Sequence, residues 1–133
     1  MKTEIIYISG PMTGLPRLNR NEFLKAANYY KIFGHMVMNP HDIGHSVDAM
    51  NHSLGIKLTD YHEYLAHDLS FLVNCTKMVL LPGWQNSKGC AYEIAFATDC
   101  NIDIVEAYTE RVMKFTHNLQ IQEIVTLREA SEP

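Results

Sequence analysis

The stretch Glu4-Ile5-Ile6-Tyr7-Ile8-Ser9-Gly10-Pro11-Met12-Thr13-Gly14 decides how the rest of the chain is read. Glu4 to Ser9 is an apolar run of strand length; Gly10-Pro11 stops it, and Gly14 and Pro16 lengthen the break. A helical pattern follows between Leu18 and Phe33. Phe23, Ala26, Ala27, Tyr30 and Phe33 recur at helical spacing, and Gly34 stands where a C-terminal cap belongs. His35 to Asn39 is a second short strand, closed by Pro40.

Further along, His41 to Thr59 holds turn formers and histidines without a period and reads as a loop or lid with one helical turn. From Asp60, the residues Tyr61, Tyr64, Leu65, Leu69 and Leu72 share one face of a helix that ends near Asn74-Cys75. Met78 to Leu81 is a strand ended by Pro82-Gly83, Cys90 to Cys100 an apolar helix preceded by Ser87, and Ile102 to Val105 another strand. A last helix is expected around Leu119 to Arg128. Strands alternating with helices in this way predict an α/β layer fold with a mainly parallel sheet, which binds ligands at the carboxyl ends of its strands.

The chain has 133 residues, 47% apolar and 20% charged, the size and balance of a single domain. Eleven Lys and Arg against fifteen Asp and Glu give a formal charge of −4, and no basic run offers a footprint for a nucleic acid polymer. The longest uncharged stretch, Ile5 to Pro16, is broken by glycine and proline and cannot span a bilayer. The first ten residues lack the layout of an export signal, and Cys75, Cys90 and Cys100 form neither a CxxC pair nor an even set. A reduced, cytoplasmic setting is expected.

Two acids stand out. Glu93, in Gly89-Cys90-Ala91-Tyr92-Glu93-Ile94-Ala95-Phe96-Ala97, has no cation three or four positions away, and an unpaired buried carboxylate is costly unless something uses its charge. The plain alternative is a helix rim with Glu93 facing solvent or a distant Arg. Asp68 lies on the apolar stripe of its helix, where the plain alternatives are a stripe edge that reaches solvent or a pairing with Lys. Together they form the acid and nucleophile that cleavage of a glycosidic bond requires.

Ser87 is the expected N-cap of the Glu93 helix, Gly89 allows close backbone approach there, and a helix start with free N–H groups attracts an anion. The first loop, with Ser9, Gly10, Pro11, Met12 and Gly14, has the setting of a phosphate or ribose cradle without being a P-loop or a dinucleotide fingerprint. Trp84 after Pro82-Gly83 is expected to be exposed, packing on another subunit or stacking on a base. His41 and His45, with His62 and His67 nearby, lack zinc spacing, so no metal site is expected.

Tyr7-Ile8-Ser9-Gly10-Pro11-Met12-Thr13-Gly14, Asn39-Pro40, Tyr64 with Asp68-Leu69, and Leu80-Leu81-Pro82-Gly83-Trp84 followed by Ser87-Lys88-Gly89 and Glu93 resemble a known set. The chain is similar, over roughly Glu4 to Val105, to an uncharacterised phage and bacterial family related to the nucleoside 2-deoxyribosyltransferases and the 2'-deoxynucleoside 5'-monophosphate N-glycosidases. The resemblance implies a doubly wound, Rossmann- or flavodoxin-like domain with its core at 4–105 and a C-terminal extension at 106–133. It implies Glu93 as nucleophile at the anomeric carbon, Asp68 as proton donor to the leaving base and Tyr7 as the group that orients the nucleophile.

A serine six residues before the nucleophile, here Ser87, marks the monophosphate glycosidases, whereas the transferases carry aspartate there. The resemblance further implies a small-molecule nucleoside or nucleotide as partner, no cofactor, a homodimer or larger assembly, and host cytoplasm if the chain is phage-encoded. Ala66 departs from the arginine frequent two residues before the aspartate. That departure motivates the alternative of a phage protein that binds or sequesters a nucleotide without turnover.

Overall fold

A computed structural model describes residues 2–43, 61–115 and 121–125. Six strands form one sheet: β1 (Ile5–Ser9), β2 (Met36–Met38), β3 (Lys77–Leu80), β4 (Asp103–Glu106), β5 (Val112–Phe115) and β6 (Ile121–Val125). Their order is β2-β1-β3-β4-β5-β6; the first four run parallel and the last two are antiparallel additions. The helices are α1 (Arg20–Ile32), α2 (Tyr61–Leu72) and α3 (Lys88–Asp99). This is the doubly wound α/β fold the sequence predicts. Its strand order reverses between β1 and β3, the place where such sheets open a crevice for a ligand.

The period-2 alternation of β1 and β3 sorts their side chains onto two faces. Ile6, Ile8, Val79 and Leu81 face α1, whose residues Phe23, Ala26, Ala27 and Tyr30 are buried against them. Tyr7, Met78 and Leu80 face the other way and pack with Leu72 of α2 and with Cys90, Ile94 and Ala97 of α3. The helix α1 ends as Gly34 predicts. With φ +86°, Gly34 donates its N–H to the Lys31 carbonyl at 2.9 Å while His35 N–H reaches Tyr30 O at 3.2 Å, a Schellman closure that leaves few orphan carbonyls.

Two sequence expectations change. The helix expected from Leu18 begins at Arg20, because Arg17, Leu18 and Asn19 adopt left-handed backbone (φ 52°, 54° and 64°) in a 3-10 turn. Within the helix expected around Leu119 to Arg128, the described residues Ile121–Val125 form the strand β6, paired to β5 with Val112 opposite Val125 and Met113 opposite Ile124. Ile121, Ile124 and Val125 fit a helical spacing, but β-branched residues suit a pleated sheet, and the edge of β5 supplies the partner. In addition, β5 joins β4 at Val105 and Val112, so the C-terminal extension continues the sheet.

The expected loop or lid at 41–59 falls mostly outside the described residues; within them the backbone at 40–43 is helical. Among the described residues, no helix is long and apolar enough to cross a membrane.

Candidate functional site

The site is built on the carboxyl end of β1. Tyr7 and Ser9, two residues apart, project to the α3 side, and both are fully buried. Opposite them stands Glu93, one and a half turns into α3 and only 6% exposed, so the reading of Glu93 as a solvent-facing rim residue is excluded. The Tyr7 hydroxyl donates to Glu93 Oε2, and the Ser9 hydroxyl donates to Oε1 at 2.8 Å. Each carboxylate oxygen has its own donor. Ser9 Oγ also lies 3.2 Å from Cys90 Sγ, one turn earlier on α3.

Asp68 completes the cluster from α2, which packs against α3. Its charge is felt at both Glu93 and Tyr7. Among the described residues it forms no ion pair or hydrogen bond, so the alternative of an Asp68 paired with lysine finds no partner there. Burial pushes Asp68 up to about 7. Glu93 is pushed up to about 8, first by burial and further by the charge of Asp68, while the Tyr7 and Ser9 hydroxyls pull it back.

The magnitudes explain that balance. A hydrogen bond to a charged group is worth about 1.5–3 kcal/mol, and burying a carboxylate with no counter-ion costs several kcal/mol, so two donors offset burial only in part. The two carboxyls titrate as a pair that prefers a single negative charge near neutral pH. Two hydroxyl donors favour that charge on Glu93 and the deeper burial of Glu93 favours it on Asp68, so the two carboxyls share one proton. Tyr7 is itself held far above the usual phenol range by burial and by the Glu93 charge, so its hydroxyl remains a donor.

The loops after β1 and β3 close over each other beside this cluster. A Cβ on Gly10 would stand 2.8 Å from Leu81 Cβ, and one on Gly83 (φ +89°) would meet Pro11 Cγ at 3.2 Å. Leu81 N–H extends the pairing by donating to Ser9 O at 2.8 Å. Gly10 is therefore small because Leu81 lies on it, and Pro11 is held by the turn at Gly83. Met12 packs on the α1 side of the sheet, while Gly14 (φ +82°) supplies an exposed turn with nothing within 4 Å of where its Cβ would be.

Ser87 is the N-cap of α3: its side chain accepts the Cys90 N–H at 3.2 Å. The first turn of α3 contains Lys88 and a half-buried Gly89 and no acidic residue, which keeps that helix start open to an anion. Trp84 is not the exposed aromatic its position after Pro82-Gly83 implies. It is 7% exposed and meets Phe115 of β5 edge to face at 5.6 Å, which makes it a core residue.

Thus Tyr7, Ser9, Glu93 and Asp68 come together, Gly10 and Pro11 shape the loops next to them, and Met12, Gly14 and Trp84 stand apart from the carboxyl cluster. Cys90 is a member that sequence reasoning missed. The available signal was its position three residues before Glu93 on the same helix face. No group of three His, Cys, Asp or Glu that could hold a metal ion occurs among the described residues.

Fold and site define a doubly wound α/β domain with a buried Glu93 and a half-buried Asp68 beside the switch point of its sheet, a carboxyl pair with no cation among the described residues. The family DUF4406, described as a domain of unknown function, matches residues 4–106, and the chain belongs to it. That span runs from the start of β1 to the end of β4 and contains the whole carboxyl cluster. No curated protein matches the chain.

Proposed function

We propose that this protein cleaves, or transfers across, the N-glycosidic bond of a deoxyribonucleoside 5'-monophosphate with retention of configuration. The observation that carries this reading is the buried Glu93 carboxylate, held at both oxygens by Tyr7 and Ser9, with a protonatable Asp68 close enough for its charge to be felt there. One Glu93 oxygen attacks the anomeric carbon and forms the C–O bond of a glycosyl ester. The C–N bond breaks, its electron pair goes to the base nitrogen, and the base takes up the Asp68 proton. Water or a second base then attacks the same carbon and gives its proton to Asp68, and the Glu93 carboxylate is released.

The charge pattern supports these roles. Asp68, pushed up to about 7, and Glu93, pushed up to about 8, share one proton near neutral pH; with that proton on Asp68 the leaving base has its acid, and Glu93 is the ionised form held by two donors. Ser87 and the acid-free first turn of α3 support a 5'-phosphate as the anion bound next to the nucleophile.

The test is base release from a panel of deoxynucleoside monophosphates, followed by chromatography. Wild-type protein releases free base, and Glu93→Ala and Asp68→Asn each abolish release. Release by Glu93→Ala at the wild-type rate sinks the covalent mechanism. Tight binding in a calorimeter with the nucleotide recovered intact makes the protein a nucleotide binder without turnover.

A further inference from the structure

The first loop was expected to cradle the substrate, yet the hydroxyl of Ser9 is fully buried and already committed. We propose that Ser9, supported by Cys90, is a positioning residue that locks the Glu93 carboxylate in a fixed plane, and that it does not touch substrate. This inference rests on the reading of Glu93 as nucleophile.

The geometry carries it. The terminal torsion of a glutamate is broad, and a single donor on one oxygen leaves the carboxylate free to turn about that oxygen. Here the second oxygen is held as well. Tyr7 grips Oε2 and Ser9 grips Oε1, and both are carried on the same face of one central strand whose backbone is paired on both sides. The attacking lone pair is then aimed by the sheet and not by the bound substrate.

Proton bookkeeping gives Cys90 its part. Ser9 has one hydroxyl proton, and Glu93 Oε1 at 2.8 Å takes it. Burial pushes the Cys90 thiol up to about 11, so the thiol keeps its own proton and can donate it to the free lone pair of Ser9 Oγ across 3.2 Å. Cys90 is anchored in turn, since its backbone N–H is bound by the Ser87 cap. The arm therefore runs from the α3 start, where the substrate anion is proposed to sit, through Cys90 and Ser9 to the nucleophile. The titratable groups facing it are Tyr7 from the sheet, itself within reach of Cys75 in the turn after α2, with Asp68 from α2 and Cys90 from α3 itself.

The experiment has one arm that needs no turnover. In protein carrying ¹³C at the glutamate side-chain carboxyl carbon, the Glu93 signal is identified by its loss in Glu93→Gln and followed against pH. Removing a donor from the ionised form raises its midpoint, so Ser9→Ala titrates higher than wild type by about one pH unit. Cys90→Ala moves it less in the same direction, and Ser9→Thr, which keeps the hydroxyl, restores it. An unchanged midpoint in Ser9→Ala overturns the proposal; if that variant does not fold, Ser9→Thr titrating like wild type supports it and a raised midpoint in Ser9→Thr overturns it.

The second arm is base release from a deoxynucleoside monophosphate. Ser9→Ala lowers kcat about tenfold to a hundredfold while KM stays within about twofold, the mark of a misaimed nucleophile. A raised KM with unchanged kcat makes Ser9 a substrate contact and overturns the proposal. Wild-type protein that releases no base defeats the proposed function, while the titration still decides whether Ser9 holds Glu93.

Discussion

Replacing Asp68 with asparagine should make the protein more stable at alkaline pH. Asp68 is pushed from 3.8 up to about 7 by burial and has no ion-pair or hydrogen-bond partner among the described residues. Between those two values the folded protein retains a proton that the unfolded chain has released, so stability falls as pH rises from about 4 to about 7, and the full penalty persists above that. Roughly three pH units at 1.36 kcal/mol each correspond to about 4 kcal/mol. Asp68 is only partly buried, and solvent screening brings the expected effect to about 2 kcal/mol.

Relief of Glu93, which the Asp68 charge raises, acts in the same direction. The assay is urea denaturation followed by circular dichroism at pH 5 and pH 9 for wild type and Asp68→Asn. Asp68→Asn should gain on wild type by roughly 1.3 kcal/mol between pH 5 and pH 9, the part of that ~2 kcal/mol which develops above pH 5. Parallel pH dependences for the two proteins would refute a buried, unpaired Asp68.

Other substitutions probe the scaffold. Gly10→Ala forces a methyl to 2.8 Å from Leu81 and should cost about 1–3 kcal/mol, read as a lower urea midpoint, because two packed loops must separate. Ser87→Ala removes the α3 cap and should cost about 0.5–2 kcal/mol, with Ser87→Asn keeping most of the stability. Trp84→Ala should cost about 3–5 kcal/mol as a core truncation, and at a temperature where the variant is folded its nucleotide affinity should equal that of wild type. Weaker nucleotide binding by folded Trp84→Ala would return Trp84 to the binding surface.

The parts of the fold that were legible in the sequence are those where local pattern and tertiary context agree. The apolar run ending at Ser9 and the Phe23, Ala26, Ala27, Tyr30 series become β1 and α1 because period and burial face coincide. Asp68 and Glu93 were legible for the opposite reason: each is a charge where packing alone would not place one. Trp84 misled because Pro82-Gly83 marks a turn, while its cover, Phe115, comes from a strand added by the far end of the chain. The β6 segment misled because five residues with Ile and Val fit either period, and only the partner strand decides.

Ser9 is the instructive case within the site. Its place next to Gly10-Pro11 reads as loop, but counting by two from Tyr7 puts it on the face that meets Glu93. A polar residue at the last position of a buried strand then needs a buried partner, and Glu93 is that partner. Cys90 stayed hidden because a small, weakly polar side chain on an apolar helix gives no pattern of its own.

The most direct measurement is mass spectrometry of the protein quenched with acid during reaction with a deoxynucleoside monophosphate. A Glu93 nucleophile predicts a transient gain of one deoxyribose-phosphate unit on the peptide that contains Glu93, absent in Glu93→Gln. Base released by a protein whose Glu93 peptide stays unmodified throughout turnover would contradict it.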